Sequence, residues 1–122
     1  MKLLLDSSLP RSLTENSTAL LEVEDAPGQL GDLSDAEIVH FAADNGFDAV
    51  AFLGRDTLAS IPVVASAAQD GVALVITHTD EPVEAERHIA EHFRALEREV
   101  GPGRLVLVLR SGLRIYDLDS RV

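Results

Sequence analysis

Three aspartates of this chain fall where an apolar run stops or a helix pattern starts. Asp6 ends the run in "KLLLD", Asp35 stands second in "SDAEIVHFAADNG", and Asp56 follows "AFLGR". In open α/β sheets, sites form outside the carboxyl ends of the strands, where the chain leaves for the helices. Carboxylates gathered at such an edge repel one another unless a hard divalent cation, Mg²⁺ or Mn²⁺, neutralises them. Such a cation would activate a water and stabilise charge on a phosphodiester oxygen, so the chemistry is metal-assisted hydrolysis. Each residue also has a purely structural reading. Asp6 fits a turn, Asp35 the favourable end of a helix dipole, and Asp56 a cap or an ion pair with Arg55. Ser34 and Glu37 are spaced as a capping box.

A second motif is "HIAEH", residues 88 to 92, which matches the H-x-x-E-H pattern of inverted zinc peptidases and sets His88 and His92 one helical turn apart. A third ligand would have to come from the last part of the chain, which reads mostly as hairpin. The competing reading places both histidines as boundary residues beside Ile89 and Phe93. His40 and His78 add no partner spacing. No Walker-type or dinucleotide glycine pattern occurs, and Ser7 and Ser8 lack the G-x-S-x-G surroundings of a nucleophile elbow.

The elements that must position these groups follow from hydrophobic period. Residues 2 to 5 read as a short buried strand, "PRSLTEN" as at most two helical turns, and "ALLEVE", 19 to 24, as a second strand. The stretch 34 to 46 puts Ile38, Phe41 and Ala42 on one helical stripe, with Asn45-Gly46 as its stop. "FDAVAFLG" and "VALVITH" are strands apolar at nearly every position, the habit of parallel sheets covered on both faces. Pro62 is tolerable only in a first turn, which predicts a helix from near Ser60. The longest helix spans 81 to 103, with Val83, Ile89, Phe93, Leu96 and Val100 as its stripe, and Ser111-Gly112 marks a two-residue hairpin. This alternation predicts one α/β domain over residues 1–122, a three-layer α/β/α sandwich with a mainly parallel central sheet and a C-terminal antiparallel hairpin.

Composition supports a packed core and narrows the partners. Of 122 residues, 46% are hydrophobic, chiefly Leu, Val and Ala, with no Cys to form disulfides or thiolate sites. The net charge of −11 removes the footprint of a general nucleic-acid binder and suits a basic partner. That charge is uneven: residues 1 to 61 carry 3 basic and 11 acidic side chains, residues 62 to 122 carry 7 and 10. Asp6 cuts the N-terminal apolar run too short for a signal peptide, and no later run approaches a membrane span. The expectation is a cytoplasmic protein without a membrane partner, for which a homo-oligomer stays open.

Over nearly its whole length the chain resembles the small PIN-like proteins of the Mut7-C and DUF5615 group, many of them toxin-like members of toxin–antitoxin-type pairs. The resemblance rests on "KLLLDSSLP", "SDAEIV", "AFLGRDTL" and "LRIYDL". It implies a PIN-like fold and, in active members, Mg²⁺- or Mn²⁺-dependent cleavage of RNA by clustered acidic residues. Carried over residue by residue, it implies Asp6, Asp35 and Asp56 as catalytic metal ligands and Glu37 as a further metal ligand. On that reading Arg55 meets a phosphate of the RNA substrate, and a basic antitoxin-like protein is the partner. Ser7 and Ser8 replace the Glu and Asn usual after the first Asp. The alternative is a catalytically inactive PIN-like module that binds a basic protein partner.

Overall fold

The computed structural model describes residues 1–26, 28, 33–54 and 61–118. Its elements run β1 (Lys2–Leu5), a 3-10 helix (Arg11–Asn16), β2 (Glu22–Asp25), α1 (Asp35–Asp44), β3 (Ala49–Phe52), α2 (Ile61–Asp70), β4 (Ala73–Thr77), α3 (Pro82–Glu91), α4 (Phe93–Glu99), β5 (Arg104–Leu109) and β6 (Gly112–Asp117). The strands form one six-stranded sheet in the order β2-β1-β3-β4-β5-β6. Every neighbouring pair is parallel except β5 and β6.

The unbroken apolar runs do what their pattern demands. Side chains alternate across a strand, so a run buried on both faces must feed two cores. Leu3, Leu5, Ala49, Ala51, Ala73, Val75, Val106 and Val108 join one buried cluster with Leu13 of the 3-10 helix and with Ile89, Phe93 and Leu96 of α3 and α4. Leu4, Val50, Phe52, Leu74, Ile76, Leu105 and Leu107 join the other, with Ile38, Val39 and Ala42 of α1 and Val63 and Ala67 of α2.

These memberships carry a consequence for chain direction. The steps β2 to β3 and β3 to β4 cross the sheet in one sense, with α1 and α2 in the second cluster. The step β4 to β5 crosses in the same sense, yet α3 and α4 lie in the first. Its hand is therefore opposite to theirs, against a preference of about 98% for the right-handed crossover. Coverage explains the exception. The 3-10 helix is six residues long and packs beside β1 and β2, so the other apolar strand residues on that face need α3 and α4 to leave water.

Local signals decide the element ends. Ser34 caps α1: its hydroxyl accepts from the Glu37 N–H at 3.2 Å, while Glu37 Oε1 accepts from the Ser34 N–H at 3.0 Å, closing the capping box. Those bonds hold the Glu37 carboxyl below its ordinary value of 4.5. A lowered pKa stabilises the fold above the ordinary value, and that contribution is lost as pH falls through the lowered one. Glu37→Gln keeps the acceptor but not the charge, so its thermal stability should fall less than the wild type's on acidification below pH 4.5. Ser34→Ala should cost about 1 kcal/mol by urea denaturation, the ordinary worth of such a cap.

Several boundaries differ from expectation. The second strand starts at Glu22 rather than residue 19, because 17 to 21 form a turn in which the Ser17 hydroxyl bonds both the N–H and the carbonyl of Val23. The long helix is two, divided at His92, whose Nε2–H donates to the Arg110 carbonyl at 2.9 Å. Val83 is 60% exposed, and Ala85 takes its place against the sheet. The hairpin turns on Arg110-Ser111, since Gly112 already pairs with Leu109. The expected helix start near Ser60 lies outside the described residues. Among the described residues no helix is long and apolar enough to cross a membrane.

Candidate functional site

At the carboxyl edge of the sheet the chain leaves successive strands toward opposite faces. It passes from β1 to the 3-10 helix in the first cluster, from β3 toward α2 in the second, and from β4 to α3 in the first. Neighbouring strands whose connections part in this way open crevices between their ends. One such crevice lies between β1 and β3, the next between β3 and β4.

Asp6 stands at the first. Its backbone N–H donates to the Ala51 carbonyl at 2.9 Å, which locks the strand end against β3. Its Oδ2 accepts from the Ser8 N–H at 3.3 Å and from the Ser8 hydroxyl. The aspartate is thus both the turn residue that composition suggested and a carboxylate held at a strand edge. The turn aims it: with Oδ2 tied to Ser8, rotation of the carboxylate is restrained.

Asp35 is the first residue of α1, next to the Ser34 cap, where the helix dipole favours an anion. Glu37 is exposed and commits Oε1 to the capping box, leaving its other oxygen to reach a ligand. Asp56 and Arg55, with the rest of 55–60, lie outside the described residues. Among the described residues no group of three or more His, Cys, Asp and Glu side chains stands close enough to hold a metal ion.

The second crevice holds a carboxylate that spacing did not single out. Asp80, after β4, lies directly over Gly54, after β3; a Cβ on Gly54 would sit 2.1 Å from Asp80 Oδ1. Below them Thr77, fully buried, accepts from the Gly54 N–H at 3.1 Å and donates to the Thr79 carbonyl at 2.9 Å. That hydroxyl ties the ends of β3 and β4 together. The signal was present in "VITHTD", where an acidic residue follows a buried strand as Asp6 does, three residues past the last strand position.

His88 and His92 part ways. His88 is 8% exposed on α3 and among the described residues its Nδ1 has no hydrogen-bond partner. His92 divides α3 from α4 and spends Nε2 on Arg110. His92 is a boundary residue beside Phe93, whereas His88 is buried next to Ile89. The chain matches no family profile, no curated protein and no solved structure in comparisons with each.

Proposed function

We propose that this chain is a PIN-like, Mg²⁺- or Mn²⁺-dependent endoribonuclease, the toxin-like member of a pair with a basic antitoxin-like protein. In this reading the sheet and its two buried clusters are the three layers of a PIN-like α/β/α sandwich. The observation that carries it is Asp6, a carboxylate oriented by Ser8 at the crevice between β1 and β3. Oxygen donors of this kind suit a hard cation, and Mg²⁺ is commonly held by one or two carboxylates with the rest of its shell water. Asp6, Asp35 and Asp56 would hold it, with Glu37 as a further ligand. The chemistry such a cation supplies when bound is stabilisation of charge on a phosphodiester oxygen. The chain itself orients Asp6 through Ser8 and keeps the β1 end in register through Ala51, and this reading assigns Arg55 to a phosphate.

Mn²⁺ added to the purified protein should raise the melting temperature, and Asp6→Asn should abolish that rise while leaving the metal-free melting temperature within a few degrees. A wild type that shows no rise with millimolar Mn²⁺ sinks the proposal. One observation favours a second reading. Residues 1 to 61 carry 11 acidic and 3 basic side chains, so the same fold could serve as an inactive module whose acidic first half meets a basic protein. Mn²⁺ binding with single-stranded RNAs left intact would select it.

A further inference from the structure

A cavity of about 920 Å³ opens beside the second crevice, between the end of β4, the flank of α3 and the β5–β6 turn. Its size falls within the range of small-ligand sites, roughly 300 to 1,000 Å³. Two guanidinium groups border it, Arg87 from α3 and Arg110 from the turn. Neither has an ion-pair partner among the described residues, in a chain with twice as many acidic as basic side chains. Two carboxylates share the wall, and one of them is engaged. Glu84 Oε2 accepts from the Thr79 hydroxyl at 3.3 Å, and Asp80 lies over Gly54.

The independent sign of a ligand is His88. It borders the cavity, is more than nine-tenths buried, and leaves Nδ1 without a partner among the described residues. An orphaned buried polar atom is costly, and native structures seldom keep one without a water, an ion or a ligand to answer it. With a proton on Nδ1, the partner this ring lacks is an acceptor. Two guanidinium groups without ion-pair partners among the described residues, with an imidazole able to donate, around one hollow suit an anion with several oxygens, which arginine binds through paired N–H groups.

We propose that this cavity binds the phosphate group of a small phosphate monoester of mononucleotide size, with Arg87 and Arg110 pairing the phosphate oxygens and the His88 ring turning so that Nδ1–H donates to one of them. The site shares no residue with Asp6, Asp35 and Asp56, so it stands whether or not the chain binds a divalent cation. Asp80 and Glu84 exclude a second anionic group from the same wall and leave hydroxyl or amino groups of the ligand as their partners.

The test is a metal-free titration of the full chain at low ionic strength, followed by ¹H–¹⁵N spectra of the histidine side chains. Inorganic phosphate and adenosine 5′-monophosphate are the probes, with adenosine as the uncharged control. Phosphate should shift the His88 signals saturably and leave those of His40, which is paired with Asp44 and Asp70. Arg110→Gln and Arg87→Gln should each weaken binding about tenfold or more, whereas Arg94→Gln on α4 should not. Tighter binding of the nucleotide than of phosphate, with none of adenosine, assigns the whole cavity to a nucleotide; equal binding assigns the phosphate group alone. No saturable shift at millimolar concentrations of either probe overturns the proposal. So does binding that Arg87→Gln and Arg110→Gln leave unchanged while circular dichroism shows both variants folded.

Discussion

Phe52→Ala should remove about 3–5 kcal/mol of stability, read as a lowered midpoint in urea with an unchanged slope. Phe52 ends β3, is 1% exposed and belongs to the core cluster that joins α1 and α2 to the sheet. Its β3 partner on that face is Val50, and Ile76 lies opposite on β4, so the ring fills space between two central strands and the helices above. Close-packed interiors relax only in part after such a deletion, and the loss combines the transfer of the ring with the cavity left behind. Phe52 also lies two residues before Gly54. A void there should loosen the strand end that Thr77 and Asp80 hold, and amide exchange at Gly54 should quicken more than at Leu4 on the far side of β3. A loss below about 1 kcal/mol would show that α1 and α2 collapse to fill the gap.

Gly54→Ala should cost about 1–3 kcal/mol and displace the Asp80 carboxylate. Two effects contribute. Gly54 has φ of +88°, where a side chain is strained, and the new methyl would overlap Asp80 Oδ1. They separate in a double-mutant cycle. Asp80→Ala in the Gly54→Ala background should return the steric part, leaving the backbone part in place. Full recovery would mean that the positive φ costs nothing here; no recovery would mean that the carboxylate swings aside freely. Because Asp80 also borders the proposed phosphate cavity, Gly54→Ala should alter the affinity for adenosine 5′-monophosphate without touching Arg87 or Arg110.

Much of this architecture is written in short-range patterns. The capping box at Ser34 and Glu37 is a four-residue signal satisfied by groups within one helical turn, so no distant contact is needed to form it. The apolar runs of β1, β3 and β4 announce burial on two faces, because no alternating pattern could otherwise be avoided in a half-exposed strand. The split of α3 from α4 was not legible: Ile89, Phe93, Leu96 and Val100 keep helical spacing through the break, and the cause is a bond from His92 to Arg110, eighteen positions away. The Ser111-Gly112 signal falls one residue past the true turn for a similar reason. Gly112 carries the glycine signal, but it is the register of β5 with β6 that makes it a paired residue.

The candidate site divides along the same line. Asp6 is visible because a carboxylate ending a leucine run must lie at a strand edge, and its bond to Ser8 spans two residues. Asp80 over Gly54 and the hollow that His88 shares with Arg87 and Arg110 depend on which strands are neighbours and on which face each helix covers. By itself the amino-acid sequence determined the parallel α/β class, the cap of α1 and the position of Asp6, since each follows from residue type and spacing within one element. Only the tertiary structure decided that α3 and α4 cross to the face the 3-10 helix leaves bare, and with them the pairing of Gly54 with Asp80 and the burial of His88. Those contacts join residues far apart in the chain, and what selects them is the need to cover both faces of one sheet.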